Sequence, residues 1–195
     1  MTEKDFDKKY FERFYFCRET RVAEPCHYRR LARFLIAYLD YINARFETVL
    51  DAGCGTGWLH GSLLAEMPTL VVEAFDISAY LCRKYGWGCS SILDYENKKQ
   101  FDLVICNDVL QYLNDADACT ALERLANWSS SALYFSVLTI EDWEMNCDQK
   151  LTDGNVYLRS ADWYREKLKL RFDNLGGGLY LRSDSSLVLY ELERL

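Results

Sequence analysis

The stretch "VLDAGCGTGWL", Val49 to Leu59, decides the fold of this chain. A short apolar run ends in an aspartate, and three glycines then alternate with small residues. The run reads as a buried strand. Gly53, Gly55 and Gly57 let the backbone turn tightly and approach a ligand with no Cβ in the way. The N–H groups opening the next helix can then face a polar group of that ligand. A tight strand-to-helix turn with no ligand is the plain alternative, and the neighbouring residues weigh against it. A dinucleotide turn needs glycine at position 58, where this chain has Trp58. The lysine of a phosphate-binding loop is missing. Asp51, just ahead of the turn, would repel a pyrophosphate but tolerates a cation. Asp76 ends the next apolar run, where a carboxylate can accept both hydroxyls of a ribose. The expected ligand is an adenosine carrying a positive centre and an amino group, without phosphate.

Working outward, Glu24 to Asn43 has apolar residues at helical spacing with Pro25 near its start. "TVLDAG" is the first predicted strand and Trp58 to Met67 a helix. "TLVVEAFD" is the second strand, and Ser78 to Tyr85 a helix with Ser78 as cap. "GCSSI", "FDLVICN" and "ALYFSVL" are the third, fourth and fifth strands. Asp115 to Trp128 and Ser160 to Phe172 are predicted helices, and "GGGLYLRSDSSLVLYELERL" a closing hairpin. This alternation predicts an α/β fold: a Rossmann-like, doubly wound, seven-stranded sheet, mostly parallel, with an antiparallel C-terminal hairpin and helices on both faces. Ligands of such sheets bind at the carboxyl ends of the strands, where the glycine turn lies. One domain is expected over residues 1–195. It divides into an N-terminal helical cover (1–45), a cofactor-binding core (46–140), and a substrate-side insertion with the last helix and hairpin (141–195).

The chain has 195 residues, 50% hydrophobic and 15% aromatic, which is ample for one buried core. Its formal charge of −7 argues against nucleic acid, whose phosphates are bound by Lys and Arg. The most basic stretch, "HYRRLAR" at 27–33, reads as a solvated helix face. The 8 cysteines contain no C-x-x-C pair, and several sit inside apolar runs. They are expected to be buried thiols, with neither disulfides nor a metal site. The charged N-terminus lacks an apolar signal core, and no apolar run has the roughly 20 residues of a membrane span. A cytoplasmic protein with no membrane partner, monomeric or homodimeric, is expected.

Taken together, the motifs resemble those of the class I S-adenosylmethionine-dependent methyltransferases. "VLDAGCGTG" is similar to that family's first motif, "VVEAFDIS" to its second, and "FDLVICNDVLQYL" to the fourth-strand motif of its small-molecule branch. The resemblance implies S-adenosyl-L-methionine as cofactor and a small-molecule acceptor. It implies that Gly53, Cys54, Gly55 and Gly57 lie under the methionine part. Asp51 would orient the loop or meet the ammonium through water. Asp76 would hold the ribose hydroxyls, Ile77 would lie against the adenine with Ile92 or Leu93 on its other face, and either Ser91 or Asp94 would meet its amino group. Asn107 would offer a backbone carbonyl to the ammonium. Apart from the resemblance, Arg21 closes an aromatic segment suited to covering the site, where it either pairs with the cofactor carboxylate or an anionic acceptor or is an exposed arginine near a turn.

A sulfonium methyl is already activated, so positioning and exclusion of water carry most of its transfer. A base is needed only for a protonated acceptor. Relatives often have histidine after the fourth strand, where this chain has Gln111 and Tyr112. Tyr112 is a candidate wall of the acceptor pocket or a core aromatic. Asp108 is a candidate base, with a helix cap the preferred reading. His27 is a third catalytic candidate, and His60 is expected on the surface. Glu141, Asp142 and Trp143 are expected at the pocket mouth. No catalytic metal is expected, because the fifth strand ends "SVLT" without an Asp-Asn pair. Two other readings stand beside the enzyme: a protein that binds the cofactor without transferring its methyl group, and a nicotinamide oxidoreductase, against which Trp58 argues.

Overall fold

The computed structural model describes residues 6–194; residues 1–5 of the expected cover and residue 195 lie outside them. Seven strands form one sheet: β1 (Thr48–Ala52), β2 (Val71–Asp76), β3 (Gly88–Cys89), β4 (Phe101–Asn107), β5 (Ser129–Ser136), β6 (Phe172–Gly176) and β7 (Leu179–Arg182). Their spatial order is β3-β2-β1-β4-β5-β7-β6. The first five are parallel, and β7 runs antiparallel to both of its neighbours. The seven-stranded doubly wound architecture read from the sequence is therefore the one observed.

Period-two alternation divides the strand side chains between two cores. Val49, Leu103 and Ile105 face α2 (Pro25–Tyr41) and α3 (Trp58–Glu66), where Leu35, Leu39, Leu59 and Leu63 are buried. Leu50, Val104 and Cys106 face α5 (Asp115–Trp128) and α7 (Ala161–Leu168), against Leu122, Leu125, Tyr164 and Leu168. Burial on both faces explains why "LVIC" in β4 is continuously apolar. Short helices α1 (Lys8–Phe11), α4 (Ala79–Tyr85) and α6 (Ile140–Met145) complete the set. Ser78 caps α4 as expected, accepting the Leu81 N–H at 3.3 Å.

From β1 the chain moves outward to β2 and β3, then returns to place β4 on the other side of β1. The carboxyl ends of β1 and β4 thus flank the switch point, where a crevice opens.

The closing hairpin is displaced from its predicted position. α7 ends at Leu168, and Phe172–Gly176 is a strand, with Gly176, Gly177 and Gly178 forming the turn at φ of +80°, +59° and +79°. A Cβ at Gly178 would lie 2.9 Å from the Phe135 carbonyl oxygen, so glycine is required there. Residues 185–194 make no strand: β5 and β6 occupy both edges of β7, and a short 3-10 turn forms at Glu191–Glu193.

Candidate active site

The glycine turn leaves β1 with Gly53, Gly55 and Gly57 at φ of +76°, +51° and +72°. The N–H groups of Gly53 and Cys54 both donate to the Phe75 carbonyl, at 2.9 and 3.0 Å, fastening the turn to β2. A Cβ at Gly53 would stand 2.5 Å from Val109 Cγ2, so the bare backbone of the turn packs directly on the Val109 side chain after β4. A Cβ at Gly55 would have nothing within 4 Å, and this residue borders open space.

Asp76 holds that space from the opposite side. Its Oδ2 accepts the Gly55 N–H at 2.8 Å and its Oδ1 the Ser78 N–H at 2.7 Å. Burial raises its pKa, and the two N–H groups oppose that shift. Each oxygen keeps a lone pair for a further donor, which fits a ribose diol.

Asp51 and His60 form a buried pair, with His60 Nδ1 2.7 Å from Asp51 Oδ2. This corrects the expectation of a surface His60. Leu59, His60 and Leu63 share the inward face of α3, a spacing that signals burial of the ring. The ring also packs beneath the turn, its Cε1 2.8 Å from where a Gly57 Cβ would be.

Three adjoining cavities meet at the switch point. The first is bounded by Asp51, the glycine turn, Asp76 and Asn107–Val109. A smaller one continues from Gly53 between Ile77, Ser91 and Ile92. Asp94 does not line it; its Oδ2 accepts the Ser91 hydroxyl at 2.5 Å. The third opens beyond Asp108 and Tyr112 toward His27, Gln111, Tyr134 and Asp153. Cys54, enclosed in the first cavity, has its thiol pushed well up by burial.

Asp108 stands where the first and third cavities join. It has φ +57°, rare outside glycine and asparagine-like residues and a mark of constrained functional positions. It caps no helix: Asn114 caps α5, accepting the Asp117 N–H at 3.0 Å. Asp108 Oδ2 accepts from Asn107 Nδ2 at 2.9 Å. Asp108 is exposed to solvent at the crevice, and the protein packed around that opening pushes its pKa up to about 6 by desolvation. Tyr112 both lines the cavities and bonds, its hydroxyl 2.7 Å from that of Tyr10.

The N-terminal segment covers this crevice. Ser78 Oγ donates to the Phe6 carbonyl at 2.6 Å, and Phe6 packs edge-on against Tyr112 with ring centroids 5.0 Å apart. Arg21 lines none of these cavities; its guanidinium is held by the Glu24 carboxylate. Glu141, Asp142 and Trp143 also stay out of the lining. Thr152 and Asp153, later in the insertion, occupy that wall. Arg159, which the sequence reading overlooked, anchors the insertion: it is 5% exposed and donates to Asp115, the Leu110, Leu113 and Tyr157 carbonyls, and the Tyr164 hydroxyl. Among the described residues no His/Cys/Asp/Glu group could hold a metal and no helix is long and apolar enough to cross a membrane; every cysteine is a free thiol, but against expectation only Cys82 and Cys106 are buried, and Cys17 and Cys89 are exposed.

Comparison with known proteins places this geometry. Residues 23–185 match the methyltransferase-domain family. A malonyl-[acyl-carrier protein] O-methyltransferase of Acetivibrio thermocellus is 25% identical over 156 residues, 69% of this chain and 55% of that protein. Another, from Halalkalibacterium halodurans, is 27% identical over 118 residues, 51% of this chain and 43% of that protein. The chain thus spans about half the length of these curated relatives. The magnesium protoporphyrin IX methyltransferase of Synechocystis, solved with S-adenosylhomocysteine, superposes with a TM-score of 0.63 at 20% identity, over 93% of this chain and 97% of that one. An S-adenosylmethionine-dependent methyltransferase from Clostridium acetobutylicum gives 0.62 at 16% identity, over 89% and 95%. These likenesses share the fold, and the family match covers most of the sequence: the chain belongs to the class I S-adenosylmethionine-dependent methyltransferases.

Proposed function

We propose that this chain transfers a methyl group from S-adenosyl-L-methionine to a small-molecule nitrogen or oxygen acceptor by in-line displacement. The observation that carries the reading is the junction at Asp108: a cradle bounded by the glycine turn and Asp76 opens there into a second, separate cavity. A two-substrate displacement needs two such spaces meeting at one point.

When bound, S-adenosylmethionine supplies a sulfonium methyl with its own leaving group. The chain's residues bind, orient and exclude water. Asp76 takes the ribose hydroxyls through the lone pairs that Gly55 and Ser78 leave free. The turn Gly53–Cys54–Gly55 lies under the methionine part, while Gly57, expected there too, lines none of these cavities and backs onto Trp87 and His60. The Asn107 carbonyl meets its ammonium. Ile77 and Ile92 flank the adenine, with Ser91 rather than Asp94 facing it, since Ser91 lines that cavity. Asp51, bonded to His60, orients the loop. Arg21, committed to Glu24, has no part in cofactor binding. The aromatic cover from Phe6 to Tyr15 excludes water.

The expected setting is cytoplasmic, with a monomer or homodimer acting on a small molecule and with no nucleic-acid or membrane partner. Titration calorimetry with S-adenosylhomocysteine tests the reading. Saturable one-site binding supports it, and no binding at millimolar product ends it.

A further inference from the structure

We propose that the methyl acceptor is an amine, held as an ammonium ion against Asp108 and walled by tyrosine rings, a proposal that rests on the methyltransferase reading above. The cavity beyond Asp108 is lined by Tyr10, Tyr15, Tyr28, Tyr112 and Tyr134. Burial raises the pKa of each of these phenols, and the Asp108 charge raises each further. All five therefore remain neutral phenols disposed around one carboxylate. Aromatic faces around an anion are the recognised surroundings of an organic cation. Asp153 adds a second carboxylate to the same wall.

One permanently charged cation, Arg30, also lines this cavity, against the two carboxylates Asp108 and Asp153 and the Glu24 carboxylate. Arg30 is exposed and spends a guanidinium N–H on Cys26 Sγ at 3.4 Å. His27 is exposed on the rim, and Glu24 is engaged by Arg21. One Asp108 oxygen accepts from Asn107; the other accepts no hydrogen bond among the described residues. Gln111 supplies an independent sign of a missing donor. It is 4% exposed, lines the cavity, and its Oε1 has no hydrogen-bond partner among the described residues. A buried polar atom without a partner costs stability, and a ligand N–H would satisfy it. An anionic acceptor would have only the exposed Arg30 to pair with and would face Asp108, Asp153 and an unpaired carboxamide oxygen.

The chemistry balances around one proton. Asp108 takes a proton from the ammonium, leaving a neutral amine with a lone pair. That pair forms the new N–C bond as the S–C bonding pair returns to sulfur, giving a methylated ammonium and a neutral thioether. A carboxyl group near 6 is ionised at neutral pH and still basic enough to share that proton.

The test uses two probes of matched shape, 2-phenylethylammonium and 3-phenylpropanoate, titrated into the full chain at saturating S-adenosylhomocysteine and followed by NMR. At least tenfold tighter binding of the ammonium, lost in Asp108→Asn, supports the proposal. The asparagine tolerates the left-handed backbone at this position, so the variant is expected to fold. Equal binding, a preference for the carboxylate, a preference surviving in Asp108→Asn, or no binding of either probe at millimolar concentration overturns it. If S-adenosylhomocysteine itself fails to bind, the methyltransferase reading falls and takes this proposal with it; if it binds and the ammonium preference is absent, only the amine is wrong.

Discussion

His60 Nδ1 lies 2.7 Å from Asp51 Oδ2, and each side chain is only 5% exposed. The pair ties the first turn of α3 to the end of β1, across the three glycines between them. Removing either member leaves a buried polar group unpaired, at a cost of about 1–3 kcal/mol. His60→Ala also opens space beneath Gly57. Urea denaturation is expected to show His60→Ala and Asp51→Ala each destabilised by that amount, and the double variant by clearly less than the sum. Strict additivity would mean that the two side chains do not interact.

Asp76→Ala removes the acceptor of two backbone N–H groups and, in the proposed function, of the ribose hydroxyls. Hydrogen bonds to a charged group contribute about 1.5–3 kcal/mol, which corresponds to about tenfold to a hundredfold in affinity. Calorimetry is expected to show S-adenosylhomocysteine binding weakened by that factor, with Asp76→Asn intermediate. Unchanged affinity in Asp76→Ala would remove the ribose role.

Gly53→Ala would force a Cβ to 2.5 Å from Val109 Cγ2 on a backbone at φ +76°. The left-handed conformation alone costs a residue with a Cβ about 1–2 kcal/mol. The clash adds to this, and only the clash is relieved by Val109→Ala. The double variant should therefore melt closer to Val109→Ala than the sum of single effects predicts. If the two losses simply add, the close approach of the turn to Val109 is not what requires glycine.

These residues also show how much of the protein was legible in its sequence. Gly53 and Asp76 could be read because strand ends and tight turns are local features, carried by residue type and spacing. The doubly wound, mostly parallel class followed, since alternating strands and helices restrict the connections available. Asp108 was misread because its role depends on a positive φ and on facing a cavity shared with elements distant in sequence. His60 was misread although it shares a face with Leu59 and Leu63, because Asp51, the partner that lets the imidazole be buried, lies back on β1. The hairpin moved because three glycines fit equally well as the start of a strand or as the turn between two. Only the occupied edges of β7 decide between them. Tyr10 reaches Tyr112 across 102 residues, a contact no local pattern announces.

Asp108 gives the chain a pH signature of definite sign. Its carboxyl titrates at about 6 when folded, against an ordinary 3.8. Between those values the folded chain holds a proton that the unfolded chain has released. This group's contribution to stability therefore falls as pH rises from about 4 to 6 and is flat above. The groups around it are Asn107, which lowers its pKa, Asp142, which raises it, the five cavity tyrosines, and the buried Cys106 thiol. Because Asp108 is exposed, solvent screens much of this effect, and Asp108→Asn is expected to raise the melting temperature only slightly at pH 7.5, with the gain shrinking as pH falls through 6 toward 4. A gain independent of pH would show that the carboxylate is not the cause.

Arg159 is the side chain on which the order of the insertion depends. Its guanidinium donates to the carbonyls of Leu110, Leu113 and Tyr157, to the Tyr164 hydroxyl at 2.9 Å and to Asp115 at 2.8 Å. Asp115 is largely exposed, so the ion pair itself contributes little. The carbonyl bonds matter more, because they join residues 157–164 to the turn after β4 that carries Gln111 and Tyr112. Arg159→Met should cost about 1.5–3 kcal/mol and expose residues 146–158 to limited proteolysis, since Thr152 and Asp153 would lose their anchor. Arg159→Lys should not rescue it, because one ammonium cannot reach acceptors spread around a planar fork. Mass-spectrometric mapping of trypsin and chymotrypsin cuts distinguishes the outcomes. New cleavage within 146–158 in both variants supports the anchor, and an unchanged pattern would mean the insertion holds its shape by other contacts.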